Sequence, residues 1–379
     1  MIDASPLLDT YEQLPFPLVR GEGVYVYAED GSKYLDLYGG HAVSLLGHCP
    51  KAIIDAIEKQ SRTFFFYSNI ARIPIREHAA EALKKIVWKR FHHFFFCNSG
   101  AEANENALKL SIRLTGRDKL ISFKGAFHGR SLLCTAVTEG TKSHAELKGW
   151  CGDRVTFLTP NDYNDLEKIT DAYAAVILEP IQSIGGVTSF ENKFLEALRA
   201  QCTKVGAHLI FDEVQTGFGR TGLPFVSGYS GIEPDMFTTA KGIASGYPIG
   251  ALFVHDHIAS KVKMGDLGST YGAAPVAMAA IEATVHELTS RHLFKHVQKL
   301  NECWQSLSSI PGVEEIRGRG CLIGIKTKIP AKELLKQFLS KGIITGTCKD
   351  PNVLRLLPPI ILQKEHIEEF GLHLKSFLN

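Results

Sequence analysis

Apolar and polar positions along this chain change period twice. Up to about Leu46, aromatic and polar residues alternate around turn signals, and this period of two predicts a hairpin turning at Asp30-Gly31. From about Pro50 the spacing becomes helical, with Ile53, Ile54 and Ile57, then Ala79, Leu83, Ile86 and Val87, recurring on one face. The middle of the chain repeats one theme, a short apolar run that closes in polar or small residues and leads into a helical stretch. The runs are residues 93–99, 119–123, 174–179, 208–213, 236–240 and 249–254. Runs that do not alternate predict strands covered on both faces of a largely parallel sheet. After about Pro275 the chain is helical again, passes through a glycine-rich turn at residues 318–320, and ends in a helix with Ile367, Phe370, Leu374 and Leu378 on one stripe.

The expected fold class is α/β, a mostly parallel central sheet covered by helices, with a smaller α+β C-terminal domain. Residues 1–46 form an N-terminal segment contributing to the small domain, 47–275 the large domain and 276–379 the small C-terminal domain. A length of 379 residues agrees with two cores, because one hydrophobic core stops growing at roughly 250–300 residues.

Composition narrows the partners. With 42 Lys+Arg against 40 Asp+Glu, the net charge of +2 leaves no electrostatic footprint for nucleic acid or a membrane surface. No apolar run approaches the roughly 20 residues of a spanning helix, and the first residues have neither the basic start nor the apolar core of a secretory signal. The eight cysteines are scattered without a C-x-x-C pair, the pattern of mostly buried, reduced thiols in a cytoplasmic protein, and zinc is not expected. A small-molecule partner follows.

In an open α/β sheet the ligand crevice lies beyond the carboxyl ends of the strands, so the residues closing each run are the first candidates. Asp212 and Glu213 close one run and call for a cationic partner, either a protein group such as Arg220 or a ligand. Lys241 follows the next run amid small residues, a place for Schiff-base chemistry or for a solvated charge. An acid-ended and a lysine-ended strand side by side match the two anchors of pyridoxal 5'-phosphate. Ser99, Gly100 and Ala101 open a helix whose free amides suit a phosphate, or are simply its cap. Phe127 or His128 offers a ring to stack on a planar cofactor, and Arg130 and Arg355 suit carboxylates. Residues 268–272, with Ser269 and Thr270, supply hydroxyls of the kind that bind phosphate and also occur in ordinary turns. The aromatic run at 64–67 and the pair His92-His93 read as core and interface.

Together these blocks resemble the class III, pyridoxal-phosphate-dependent aminotransferases, and within them the acetylornithine aminotransferases. The resemblance covers essentially the whole chain, through Asn98-Ser99-Gly100-Ala101-Glu102, Phe127-His128-Gly129-Arg130, the stretch from Phe211 to Gly222, Ala240-Lys241-Gly242, Arg317-Gly318-Arg319-Gly320 and Leu354-Arg355. It implies a fold-type I homodimer in which Lys241 carries the cofactor and Asp212 holds its ring nitrogen protonated. Ser99, Gly100 and Ala101 would bind the phosphate, with Thr270 reaching it from the other subunit. Phe127 and Val214 would cover the ring faces and Gln215 would lie by the ring hydroxyl. Arg130, Ser269 and Arg355 would bind substrate, an N-acylated ornithine in one half-reaction and 2-oxoglutarate or glutamate in the other. Where the family usually has Gly-Glu-Gly-Gly after Glu-Pro-Ile-Gln, this chain has Ser183-Ile184-Gly185-Gly186, which implies an Arg355 without its masking glutamate. Gly272-Ala273-Ala274-Pro275 likewise replaces Gly-Gly-Asn-Pro. The alternatives are N-succinylornithine, ornithine or 4-aminobutyrate as amine donor and, from other classes, a catalytically silent binding protein on the same fold or a nicotinamide oxidoreductase. The last lacks the dinucleotide fingerprint.

Overall fold

The computed structural model describes residues 7, 8, 10–140 and 142–379. Its centre is a seven-stranded sheet in the order His93–Cys97, Gly250–Val254, Met236–Thr239, His208–Asp212, Tyr173–Leu178, Lys119–Phe123, Val155–Leu158. The inner strands are rich in Val, Ile, Leu and Phe and buried on both faces, as their unbroken apolar runs require. Six strands point one way. Gly250–Val254 runs antiparallel to both its neighbours, a reversal that burial pattern cannot show because both of its faces are covered all the same. Its first residue, Gly250, therefore lies at the same edge as the ends of the other strands. A Cβ there would stand 2.2 Å from the Ser99 carbonyl oxygen, so only glycine lets the two loops meet.

Two smaller sheets lie outside this one. The N-terminal strands Leu18–Glu22, Tyr25–Ala28 and Lys33–Asp36 form the expected meander about Gly31 and accept Ile343–Ile344 as a parallel fourth strand. The other sheet joins Val313–Arg319, Leu322–Thr327, Val353–Leu356 and Gly346–Thr347. Gly318 is thus within a strand rather than in the expected turn, which falls at Gly320-Cys321. Of the final helix Lys364–Leu378, Ile367, Phe370 and Leu374 are buried, and Phe338 stacks on Phe370 at 4.4 Å. Burying aromatic rings of this size stabilises by about 2–3 kcal/mol each.

The aromatic run does not enter the core. Phe64, Phe65 and Tyr67 are exposed, as is Ile70, and Phe66 meets the exposed Tyr271 at 5.1 Å. His93 is also exposed, because it begins an edge strand. Cys97, Cys134, Cys202 and Cys321 are buried and Cys49 is exposed; the side chain of Cys151 lies outside the described residues. Among the described residues no helix is long and apolar enough to cross a membrane.

One connection is strained. After Tyr38 the backbone runs left-handed through Gly39, Gly40, His41 and Ala42, with φ of 55°, 55°, 63° and 66°. Each non-glycine residue there costs about 1–2 kcal/mol. The surroundings hold the turn in place: Tyr38 and Gly39 donate their N–H groups to Asp36 Oδ1, and Arg220 Nη2 donates to the Ala42 carbonyl at 3.1 Å.

Candidate active site

The strand ends converge on an open cavity of about 430 Å³. It is lined by Ser99, Gly100, Ala101, Phe127, Arg130, Asp212, Val214, Gln215 and Lys241, all named from sequence, together with Asn104, His128, Glu179 and Tyr247.

At its floor, Asp212 ends the central strand and is 4% exposed. Its Oδ2 accepts from Asn104 Nδ2 at 2.7 Å and faces His128 Nδ1 at 2.8 Å, while Oδ1 accepts from the Val214 N–H at 3.0 Å. Asn104 in turn donates to the His128 carbonyl and accepts from Thr238 Oγ1. A buried carboxylate so tied keeps its direction. Of the two partners left open, Arg220 is not the one that Asp212 or Glu213 takes. That guanidinium is fully buried and donates instead to the backbone carbonyls of Ala42, Cys321 and Pro358. Glu213 turns to the other side of the strand, where it accepts from the Val226 and Ser227 N–H groups and the Thr216 and Ser227 hydroxyls. Adjacent residues on a strand face opposite ways, so one acid serves the cavity and the other the interior.

Lys241 follows Met236–Thr239 with a left-handed φ of 48°, strain of the kind that collects at functional positions. Loss of hydration pulls its amine down to about 8, against the opposing pull of Asp212 and Glu179. Burial likewise lifts Glu179 to about 7, with His128 countering. Glu179 accepts the Phe127 N–H at 2.8 Å and so fixes the loop that carries Phe127.

Opposite Lys241, Ser99 caps the helix Gly100–Thr115 by accepting the Glu102 N–H at 3.1 Å, so the cap and the cavity-facing helix start are the same feature. A Cβ on Gly100 would stand 2.8 Å from Val214 Cγ1, so the glycine allows this close approach.

At the rim, Arg130 is exposed and lies 5.3 Å from the Phe127 ring. Arg355 is 5% exposed, donates to Ser183 Oγ at 3.2 Å and Tyr38 Oη at 2.7 Å, and leaves its Nε without a partner. Ser269 and Thr270 do not line the cavity. Ser269 accepts from Asn98 Nδ2 and the Gly272 N–H beside the Ser99 loop, and Thr270 is exposed. Sequence reasoning passed over Tyr38 and Asn104, and took Glu179 only as a residue closing its run, without a role. Only Glu179, an acid directly after an apolar run, carried a visible signal.

A ring-shaped aldehyde with a phosphate arm fits this donor set. The cavity holds a desolvated amine, an anchored acid, a helix start with free N–H groups, and the buried Gln215 Oε1, which has no partner in the protein. Such a site on this fold defines a pyridoxal-phosphate enzyme.

Residues 8–378 match the aminotransferase class-III family, and the chain belongs to it. It is a pyridoxal-phosphate-dependent transaminase. It is 38% identical over 367 residues to a [LysW]-aminoadipate semialdehyde/glutamate semialdehyde transaminase of Sulfurisphaera tokodaii, covering 96% of this chain and 94% of that one. To the acetylornithine aminotransferase of Methanocaldococcus jannaschii it is 36% identical over 386 residues, covering 95% and 93%. Among solved structures, a taurine:2-oxoglutarate aminotransferase from Bifidobacterium kashiwanohense, in complex with PLP and glutamate, superposes with a TM-score of 0.89 at 25% identity, covering 98% and 94%.

Proposed function

We propose that this chain is an N-acetylornithine aminotransferase of arginine biosynthesis, converting N2-acetyl-L-ornithine and 2-oxoglutarate to N-acetyl-L-glutamate 5-semialdehyde and L-glutamate. The observation that carries this reading is one cavity lined by Lys241, Asp212 and Arg130, with the buried Arg355 near enough to Lys241 for its charge to act on that amine. Bound pyridoxal phosphate supplies an electron sink for charge developing beside the substrate nitrogen. Ser99, Gly100 and Ala101 would hold its phosphate, Phe127 and Val214 its ring, and Gln215 its hydroxyl. Asp212 would hold the proton on the ring nitrogen. The Lys241 amine, near 8 and so in part unprotonated at neutral pH, would take the proton from the substrate carbon that bears the transferred nitrogen. Arg130 and Arg355 orient the substrate carboxylates.

In this reading the protein works as a cytoplasmic homodimer with shared active sites. The exposed Phe64, Phe65 and Tyr67 beside Tyr271, with Thr270 exposed next to them, supply an apolar face for a second copy. The relatives named for LysW-linked semialdehydes favour a second reading, in which the ornithine or aminoadipate chain is presented on a carrier. Assays with 2-oxoglutarate and each of N-acetylornithine, N-succinylornithine, ornithine and 4-aminobutyrate decide. The highest kcat/KM is expected with N-acetylornithine, and turnover of none of the four would overturn the assignment in favour of a carrier-linked donor.

A further inference from the structure

We propose that His41 is a specificity-determining residue of the rim, taking up a proton when a dicarboxylate occupies the space between Arg130 and Arg355. This rests on the reading of those arginines as carboxylate binders. The turn that displays His41 is the strained one: His41 and Ala42 stay left-handed, and Arg220 holds the Ala42 carbonyl. On the Gly39 side a Cβ would stand 2.6 Å from the Leu357 carbonyl oxygen, so the loop before Pro358 closes over the turn. Strain persists where surroundings over-determine it, and here it places one imidazole against Tyr38, two residues before Val43 of the cavity lining. The ring packs edge-on to Tyr38, with centroids 4.7 Å apart, and the Tyr38 hydroxyl accepts from Arg355.

The charges around His41 are one-sided. Loss of hydration, then Arg355, Lys241 and Arg130, push its proton off, and Asp36 alone opposes them. The ring therefore holds its proton less tightly than a free imidazole does. 2-Oxoglutarate and glutamate bring two carboxylates into this field, cancel the push from the arginines and let the imidazole bind a proton. An N-acylated ornithine, whose one carboxylate is balanced by its ammonium, changes the field far less. Binding of the dicarboxylate and protonation of His41 thus favour each other, and the site tightens on the dicarboxylate as pH falls.

The experiment titrates the holoenzyme with glutarate, an unreactive dicarboxylate, by calorimetry in buffers of different ionisation enthalpy. His41→Asn serves as the variant, because asparagine tolerates a left-handed backbone and does not titrate. Expected for the wild type is net proton uptake near neutrality, absent or much reduced in the variant. The variant should bind glutarate about three- to fivefold more weakly near pH 6 and nearly as well near pH 8. The KM for 2-oxoglutarate should follow the same pattern, with the KM for the amine donor unaffected. Equal proton uptake and equal pH dependence in both proteins would overturn the role of His41. Failure of glutarate to bind either protein would overturn the arginine reading and this proposal with it.

Discussion

The floor and the rim of the cavity are built on opposite plans. Asp212 is tied to Asn104, His128 and the Val214 N–H, all on elements packed against the central sheet. Arg355 comes from an outer sheet and is held by Tyr38 and Ser183, two single hydroxyls from other parts of the chain, with one nitrogen unpartnered. Arg130 has less still, two aromatic rings at more than 5 Å. Asp212 is satisfied by the protein and therefore fixed. The rim is left to be completed by substrate, which suits a site that must receive two different molecules in turn.

Several substitutions test this contrast. At the floor, Lys241→Ala should lower kcat on the order of 10⁴-fold and abolish the absorbance band of the bound cofactor, with folding intact by circular dichroism. Asp212→Asn should cost on the order of 10²–10³-fold in kcat with little change in KM, because it removes charge from the ring nitrogen while leaving substrate contacts alone. Comparable losses in KM would break the division between floor and rim. At the rim, Arg355→Ala should act chiefly on affinity, raising the KM for glutamate about 30-fold. Ile184→Glu should weaken glutamate binding by about tenfold by placing a carboxylate two residues from Gln182, next to the Ser183 that holds Arg355, and tighter binding would refute the idea of an unmasked arginine.

The smallest effect concerns pH. Glu179 is raised from 4.5 to about 7 in the folded chain, so in that window the native state holds the proton that the unfolded state has lost. Its contribution to stability accordingly falls as pH rises from 4.5 to about 7. Glu179→Gln should flatten that part of the melting-temperature profile of the cofactor-free protein, and an unchanged slope would show that the acid is not enclosed.

Much of this was legible because burial leaves a mark in the sequence. Unbroken apolar runs announced six of the seven central strands, and the polar residues after them announced Lys241 and Asp212. The strand Val155–Leu158 was missed because three of its four residues are only partly buried at an edge. The reversal of Gly250–Val254 was hidden because direction leaves no compositional trace. Arg220 was left open as an ion-pair partner, since nothing in a sequence tells a guanidinium bound to three carbonyls from one bound to an acid. Tyr38 and Asn104 were passed over for a related reason. Their importance lies in what they touch, and those partners are far away in the chain.

The pairing of Ile343–Ile344 with Leu35 and Asp36 carries a consequence for how the chain is made. The meander leaves the ribosome well before the strand that closes its edge, with the whole central sheet coming between them. Throughout synthesis of the central sheet that edge stays open, a template for mispairing with other nascent chains. Completion of the outer layer, and with it the turn at Gly39–Ala42, is therefore a late event in folding, and the catalytic cavity acquires its mouth only after its floor is set.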